Sequence, residues 1–281
     1  MGLEREDAMK IHVLVDDLES PSFEVEHGLS LFVETGTQNV LFDMGTTAMF
    51  IGNAERLGLD ISAVDVAAVS HGHDDHGGGI PAFLEVNDRA SIYLNEHAFE
   101  PHFTKRKSGQ ILFNGLMPDL LDSDRIELVG DTLRIDDELF LFSDVTGERL
   151  CSSSNRKLLV TDGRTYQHDP FLHEQNMIIE TPDARVLIAG CAHHGIVNIM
   201  DRAMEHAGGP MDFVIGGFHL SNPRDGGCEP REKIEAIADY LLSFPTTYAT
   251  CHCTGTEAFG MLKEKMGDRL EYALTGKTFE F

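Results

Sequence analysis

A polar cluster that follows an apolar run without a break places the strongest constraint on this chain. Residues 64–69 (VDVAAV) read as a strand, and residues 70–79 (SHGHDDHGGG) follow directly. The second segment brings three histidines and two aspartates into six residues. Neutral imidazole and carboxylate are donors that zinc, iron, manganese and nickel accept in proteins. The pattern therefore indicates a transition-metal site at a strand end, rather than a solvated turn with incidental histidines.

The spacing within this cluster predicts which side chains share an ion. In an extended segment the side chains of His71 and His73 point the same way, so one metal ion can take both. Asp75 and His76 lie on the next turn, where they can hold a second ion close to the first. One segment cannot fill two ion sites, so distant parts of the chain must supply further ligands.

Three later strand ends carry a histidine beside glycine. They are residues 190–195 (GCAHHG), 216–220 (GGFHL) and 251–255 (CHCTG). These contexts make His193 and His252 the best additional ligand candidates. His219 is either a ligand or an imidazole that binds substrate or transfers a proton, and His194 is expected to point away from its neighbour His193.

Other residues have weaker signals. Cys191 lies where a strand meets a glycine, so it is either a bridging ligand or a small buried thiol. His173 is a further ligand candidate, although no glycine or strand end marks it. Asp43 follows an apolar strand and is expected to orient a ligand imidazole. The remaining histidines are expected to be surface or satisfied side chains: His12, His27, His97, His102, His168 and His206.

Apolar periodicity predicts an α/β protein. Strands are expected at 10–15, 29–35, 39–43, 64–69, 91–94, within 126–146 as antiparallel strands, and at 177–180, 185–189, 213–215, 248–250 and 278–281. Helices are expected at about 47–57, 80–84, 196–206, 231–242 and 256–266. The order of apolar strand, polar loop with histidine, glycine and helix occurs at 64–85 and again at 185–206. Two similar halves that face each other across one site are therefore expected.

A small basic and aromatic segment stands out in this acidic chain. Residues 98–120 read as irregular and contain Lys105, Arg106 and Lys107. The formal net charge of the chain is −25. Against that background, the segment is either a lid that meets an anionic substrate or an ordinary solvated loop. The net charge also argues against a nucleic-acid binder and against docking on an anionic membrane.

The ends and the cysteines favour a cytoplasmic protein. Residues 1–7 are charged and lack the apolar stretch of a signal peptide, and no apolar run approaches the roughly 20 residues that span a bilayer. The five cysteines are odd in number and scattered, so a disulfide framework is not expected. The C-x-C pair at 251–253 lacks the spacing and second half of a zinc ribbon.

The H-x-H-x-D-H cluster resembles the signature of the metallo-β-lactamase superfamily. It is formed here by His71, His73, Asp75 and His76. Together with residues 40–45 (VLFDMG) and the later histidine-bearing strand ends, the resemblance covers nearly the whole chain. It implies one domain over residues 1–281, an αββα sandwich of mixed sheets, a dinuclear metal site at one edge of the two sheets, and a lid-like insertion at about 98–120.

A finer resemblance concerns residues 190–198, 216–220 and 252–255. They look like one branch of archaeal and bacterial proteins, commonly named 7,8-dihydropterin-6-methyl-4-(β-D-ribofuranosyl)aminobenzene 5′-phosphate synthase, an enzyme of methanopterin precursor biosynthesis. One position departs from the commoner superfamily pattern. Where a bridging aspartate often stands, this chain has Cys191, followed by His193, so the bridge and the filling of the second ion site stay open.

Three functions are compatible with these residues. The first is a hydrolase that uses a metal-bound hydroxide on a small phosphorylated, ester or lactone-like substrate. In it, Asp75 or His219 handles the proton, and Lys105, Arg106 and Lys107 steer the anionic group. The cofactor would be one or two divalent ions, with zinc expected first and iron or manganese as alternatives. The second function, implied by the branch, is a synthase that joins a dihydropterin to an aminobenzene ribofuranosyl phosphate. The third is a non-enzymatic metal or ligand sensor. The oligomeric state is left open.

Overall fold

Two seven-stranded sheets form the centre of the computed structural model, which describes residues 8–222 and 227–281. The charged segment 1–7 lies outside the described residues. The strands are, in chain order, β1 (Lys10–Val15), β2 (Ser30–Glu34), β3 (Asn39–Phe42), β4 (Val66–Ala68), β5 (Ser91–Asn95), β6 (His102–Lys105), β7 (Ile111–Phe113), β8 (Ile126–Val129), β9 (Thr132–Arg134), β10 (Leu139–Phe142), β11 (Leu158–Thr161), β12 (Tyr166–His168), β13 (Asn176–Glu180), β14 (Arg185–Ile188), β15 (Phe213–Gly216), β16 (Ser221–Asn222), β17 (Gly227–Cys228), β18 (Thr247–Thr250), β19 (Leu270–Tyr272) and β20 (Thr278–Glu280). The helices are α1 (Met49–Leu57), α2 (Asp74–Gly77), α3 (Ile80–Val86), α4 (Ile196–Ala207), α5 (Arg231–Leu242) and α6 (Thr256–Met266).

The two large sheets have the same plan. The first has the strand order β20-β1-β2-β3-β4-β5-β8, and the second has the order β19-β18-β15-β14-β13-β10-β9. Each sheet is antiparallel on one side and parallel on the other. The parallel pairs are β3–β4, β4–β5 and β5–β8 in the first sheet and β14–β15, β15–β18 and β18–β19 in the second. The sheets are therefore mixed, as the sequence predicts.

The period of two along the strands explains how the layers stack. In β2, Leu31 and Val33 enter the core between the sheets, while Phe32 packs on the other face with residues of α1 and α3. In β14, Val186 enters the same inter-sheet core, while Leu187 packs with residues of α4, α5 and α6. Helices thus cover the outer face of both sheets. This arrangement confirms the predicted αββα sandwich.

Residues 98–120 are more regular than expected. Strands β6 and β7 form a hairpin that turns at Gly109, whose φ is +86°. The hairpin joins a small sheet of order β12-β11-β6-β7. The interpretation of this segment as irregular is wrong, because β6 pairs with β11, a strand too distant in the sequence to be read with it. Its action as a lid stays a prediction.

Strand β8 also differs from expectation. The sequence predicts antiparallel strands over 126–146, and β9 and β10 do pair in this way in the second sheet. Strand β8 instead pairs parallel with β5 in the first sheet. The chain between them forms the β6–β7 hairpin and a short 3₁₀ turn at Pro118–Asp122, which together make the crossover that parallel pairing requires. No helix of the described residues is both long and apolar enough to cross a bilayer.

Candidate metal centre

The sheet topology brings four strand ends to one place. Strand β4 leads into residues 70–76, hereafter the first loop. Strands β14, β15 and β18 are parallel neighbours and lead into 190–193, 216–219 and 250–253, hereafter the late strand ends. The carboxyl ends of parallel strands meet at the same edge of a sheet, which is where open α/β sheets bind ligands.

The first loop is held by a buried aspartate that follows β3. The carboxylate of Asp43 accepts hydrogen bonds from the backbone N–H and the hydroxyl of Ser70, at 2.6 and 2.8 Å. Its Oδ2 also lies 2.6 Å from Nδ1 of His76. The hydroxyl of Ser70 in turn lies 2.8 Å from Nδ1 of His71. These contacts engage the Nδ1 atoms of His71 and His76. The Nε2 atoms of both imidazoles remain available to the late strand ends.

Two close contacts join the first loop to the late strand ends. Nε2 of His71 lies 3.3 Å from Nε2 of His193, and Nε2 of His76 lies 3.2 Å from Sγ of Cys191. The approach depends on Gly190, because a Cβ built there would lie 2.1 Å from the hydroxyl oxygen of Ser70. The structure thus brings together four of the predicted candidates. His194 turns its ring to Glu174 instead, with Nδ1 2.7 Å from the carboxylate.

Asp75 and His252 meet on the other side of the first loop. Oδ2 of Asp75 lies 3.6 Å from Nε2 of His252 and 3.1 Å from Nε2 of His27. Asp17 joins the two imidazoles, with its oxygens 2.6 Å from Nδ1 of His252 and 2.7 Å from Nδ1 of His27. Burial would lower the pKa of His252, but Asp17 raises it well above the ordinary histidine value.

His73 has a buried Nε2 without a hydrogen-bond partner among the described residues. A second group packs beside it, in which Oδ2 of Asp169 lies 2.8 Å from Nδ1 of His102 and 3.3 Å from Nε2 of His173. Nδ1 of His173 accepts the backbone N–H of Gly72 at 2.8 Å. Both ring nitrogens of His173 are therefore engaged within the protein. His173 thus supports the first loop, and its role as a ligand stays a prediction, because it also forms a group of four donors within 4.8 Å of one another with His73, His102 and Asp169.

Two histidines that the sequence analysis set aside lie against the ligand candidates. His27 and His102 have hydrogen-bond partners, as expected, but both belong to the groups just described. Neither position has a signal in the sequence, and Asp17, Asp169 and Cys253 were likewise not among the predicted site residues. Only Cys253 had a local signal, since it follows a strand end directly after His252.

His219 lies beside His193, with ring centroids 4.4 Å apart. Both of its ring nitrogens are buried and have no hydrogen-bond partner in the part of the chain that the structure describes. The thiol sulfurs of Cys191 and Cys253 and a ring nitrogen of His219 lie within 4.8 Å of one another. His219 also has a left-handed backbone, with φ of +50°.

A cleft opens onto these residues. His73, Asp75, Cys191, His193, His219, His252 and Cys253 line it. Lys105 and Arg106, at the end of β6, line the same cleft, while Lys107 does not line it. Two cations of the basic segment therefore face the same space as the metal-ligand candidates.

The protonation states suit metal binding. Burial, reinforced by neighbouring imidazoles, lowers the pKa values of His71, His73 and His193 well below the ordinary histidine range. Burial would raise the pKa of Asp75, but its neighbouring histidines, His76 first, hold it well below the ordinary value. Neutral imidazoles and an ionised carboxylate are the forms in which these side chains bind metal ions.

The donor set fits one or more divalent ions. Among the groups of donors that lie within 4.8 Å of one another, two combine the first loop with the late strand ends: His71, Cys191 and His193, and His76, Cys191 and His252. The buried Nε2 atoms of His73 and His252 lack hydrogen-bond partners among the described residues. Such orphaned acceptors are rare in native proteins and are explained where an ion completes them.

Comparison with known proteins gives the class. Residues 24–153 match the family described as the metallo-beta-lactamase superfamily. The chain therefore carries a metallo-β-lactamase superfamily domain, and its fold is the fold of that superfamily.

Three relatives cover almost the full chain. A protein of Methanocaldococcus jannaschii named 7,8-dihydropterin-6-methyl-4-(beta-D-ribofuranosyl)-aminobenzene-5'-phosphate synthase is 26% identical over 302 residues, covering 100% of this chain and 99% of its own length. An uncharacterized protein of the same organism is 25% identical, covering 90% of this chain and 94% of its own length. The crystal structure of Tm1679, described as a metal-dependent hydrolase of the beta-lactamase superfamily, is 28% identical with a TM-score of 0.81 and covers 97% of this chain and 99% of that one.

Proposed function

We propose that this protein is a metal-dependent hydrolase of small anionic molecules, with a phosphorylated, ester or lactone-like substrate. The observation that supports this most is the shared cleft. One part of it presents clustered imidazoles, a carboxylate and thiols, and another part presents the cations of Lys105 and Arg106. In a chain with a net charge of −25, two cations at the mouth of a metal-ligand cluster favour an anionic group at that place.

The ligands divide into two sets. His71, His73 and His193 would hold one ion through their Nε2 side, and Asp75, His76 and His252 would hold a second. Cys191, close to both sets, would complete either of them. Zinc is the first expectation, with iron or manganese as alternatives. A divalent ion bound there supplies Lewis-acid polarisation of a substrate oxygen and lowers the pKa of water.

The chain's own residues orient the substrate and manage the proton. Lys105 and Arg106 bind the anionic group at the mouth of the cleft. The imidazole of His219 lines the cleft and keeps both ring nitrogens free of partners among the described residues, so one of them can accept or donate a proton there. Oδ2 of Asp75 lies 3.1 Å from Nε2 of His27, so a proton taken up by one of these side chains can pass to the other.

A synthase activity is the second candidate. It is favoured by the relative from Methanocaldococcus jannaschii, because the match covers all of this chain. In that reaction the same cleft would hold a dihydropterin and an aminobenzene ribofuranosyl phosphate. Lys105 and Arg106 would then bind the phosphate. A non-enzymatic sensor is the third candidate, and a cytoplasmic location stays a prediction.

Turnover with different substrates separates these candidates. The full-length protein, supplied with Zn²⁺, Mn²⁺ or Fe²⁺, is assayed with chromogenic phosphodiester, ester and lactone substrates, with and without a chelator. We expect metal-dependent turnover that His73→Ala abolishes. His206→Gln is the control, because His206 contacts Asp144, which is away from the cleft. Product that forms only when both synthase substrates are present would support the synthase function and reject the hydrolase function. Binding without turnover of either set would favour the sensor.

A further inference from the structure

Three donors at the floor of the cleft form a group that neither ion set fully uses. Cys191, His219 and Cys253 come from three different late strand ends, and their donor atoms lie within 4.8 Å of one another. Both cysteines are buried, with exposed fractions of 4% each. The thiol of Cys253 points to the backbone carbonyl of Cys191, at 3.6 Å.

This group differs from the other clusters in how its donors are engaged. Asp17 bonds both His27 and His252, and Asp169 bonds both His102 and His173, so in each of those groups a carboxylate engages the imidazoles. His219 has no such partner within the described residues, although both ring nitrogens are buried. Buried ring nitrogens left without hydrogen bonds cost free energy, which requires a compensating interaction.

The backbone around the group is also specialised. Ala192 and His219 both have a left-handed conformation, with φ of +53° and +50°. Such conformations cost about 1–3 kcal/mol each for residues other than glycine. Gly217 allows the closest packing, because a Cβ at that position would lie 2.5 Å from Sγ of Cys253. These features hold the three donors together at one point.

We infer that Cys191, His219 and Cys253 form a site for a thiophilic divalent ion, Zn²⁺ or Cd²⁺, beside the ions that the histidine-rich sets hold. Two sulfurs and one imidazole are a donor set that soft and borderline ions prefer over Mn²⁺ or Mg²⁺. Each thiol releases its proton to solvent when its sulfur takes the ion. The same three residues line the cleft, so an ion that they held would be accessible from the substrate space.

Cys191 connects this site with the second ion set. Its sulfur lies 3.2 Å from Nε2 of His76 as well as close to Cys253 and His219. A thiolate shared in this way would link the thiophilic ion to the histidine-bound ion. A carboxylate at the same position would not supply the sulfur that selects a thiophilic ion.

Cadmium is the probe that tests the site. Metal-depleted full-length protein is titrated with Cd²⁺ while the near-ultraviolet thiolate-to-cadmium absorption and the ¹¹³Cd signal are recorded. We expect a signature with two sulfur ligands in the wild-type protein. In Cys253→Ser we expect about half of the absorption, a one-sulfur signature and one tightly bound equivalent fewer by elemental analysis.

Two further variants keep the test decisive. His219→Asn tolerates the left-handed backbone and retains both thiols, so the absorption is expected to remain while Cd²⁺ affinity falls at least about tenfold. Cys228→Ser is the matched control, since Cys228 lies in β17 outside the group, and no change is expected. Thermal unfolding verifies that each variant is folded.

A two-sulfur signature that survives in Cys253→Ser overturns the inference. Wild-type Cd²⁺ affinity in His219→Asn does the same. Neither result affects the proposed hydrolase, because loss of turnover in His73→Ala tests the histidine-bound ions separately.

Discussion

The first loop and the late strand ends contribute to one centre, but they differ in backbone conformation and in how far hydrogen bonds engage their donor side chains. The first loop lies in a network of hydrogen bonds through Asp43, Ser70 and His173. The late strand ends also have buried hydrogen bonds, such as those that the N–H groups of His193 and His252 donate to Glu174 and Asp16. They differ from the first loop in their left-handed residues, at Ala192, His219 and His252. In His219 the side chain has no hydrogen-bond partner among the described residues.

This difference has a physical meaning for metal binding. A loop that is fixed by its own hydrogen bonds holds its imidazoles in position before an ion arrives. Donors that lack partners gain most of their stabilisation from the ion itself. We therefore expect the first loop to determine stability without metal, and the late strand ends to determine how many ions bind and of which kind.

The largest effect is expected from removing the support of the first loop. Asp43→Ala leaves the Ser70 hydroxyl, its N–H and Nδ1 of His76 buried without their acceptor. We expect the free energy of unfolding of the chelator-treated protein to fall by roughly 3–5 kcal/mol, measured by urea denaturation. Asp43→Asn keeps one acceptor and the left-handed backbone (φ +60°) and is expected to lose less. Equal stability of Asp43→Ala and wild type would show that the hydrogen bonds to Asp43 do not stabilise the metal-free protein.

The next effect concerns the contact between the halves. Gly190→Ala places a Cβ 2.1 Å from the Ser70 hydroxyl oxygen and 3.3 Å from Nδ1 of His71. We expect a loss of about 1–3 kcal/mol and fewer bound ions by elemental analysis. Gly260→Ala is the control, because nothing lies within 4 Å of a Cβ there and the residue is inside α6. This control is expected to gain about 0.5–1 kcal/mol. If Gly190→Ala binds as many ions as the wild type, the close approach of Gly190 to the first loop is not needed for ion binding.

A smaller effect is expected from the group behind His73. Asp169→Asn weakens the acceptor that His102 and His173 share, and His173 fixes the N–H of Gly72. We expect metal affinity to fall by about tenfold, measured by competition with a chromogenic chelator. Asp162→Asn, in an exposed turn of the same small sheet, is the comparison and should bind metal as the wild type does. If both variants bind equally well, the first loop is positioned without this group.

The smallest effect is expected at the mouth of the cleft. Arg106→Ala removes a cation from the cleft wall and is expected to raise KM for an anionic substrate about three- to fivefold, with little change in kcat. The difference should shrink as salt is added, because exposed charges are screened. Arg164→Ala, in an exposed turn between β11 and β12, is the matched control. A fall in kcat at unchanged KM would contradict a role in substrate binding.

Much of the fold was readable from the sequence because each buried strand is a short apolar run between turn signals. The helix at Arg231–Leu242 and the strand at Lys10–Val15 have the predicted bounds. The pairing of β6 with β11 and the parallel direction of β8 were not readable. Both depend on which distant strand lies alongside, and local periodicity does not contain that information.

The candidate site shows the same limit. The donors of the first loop are contiguous, so their spacing alone indicates an ion site. Asp17 lies 235 residues from His252, which it contacts, and His102 lies 67 residues from Asp169. Such partners become visible only when the sheets are assembled. His193 and His252 were accessible because each follows an apolar strand, whereas His27 follows none.

The separation of the two halves along the chain has a consequence in time. His71 and His193, whose ring nitrogens meet, are 122 residues apart in the sequence. At a synthesis rate of about 5–20 residues per second, the first loop leaves the ribosome roughly 6–25 s before its partner imidazole exists. During that interval a newly made chain presents clustered imidazoles and carboxylates without the late strand ends. An ion captured early would meet a different set of ligands from those of the finished protein, so the metal supply during translation can influence which ions the mature protein holds.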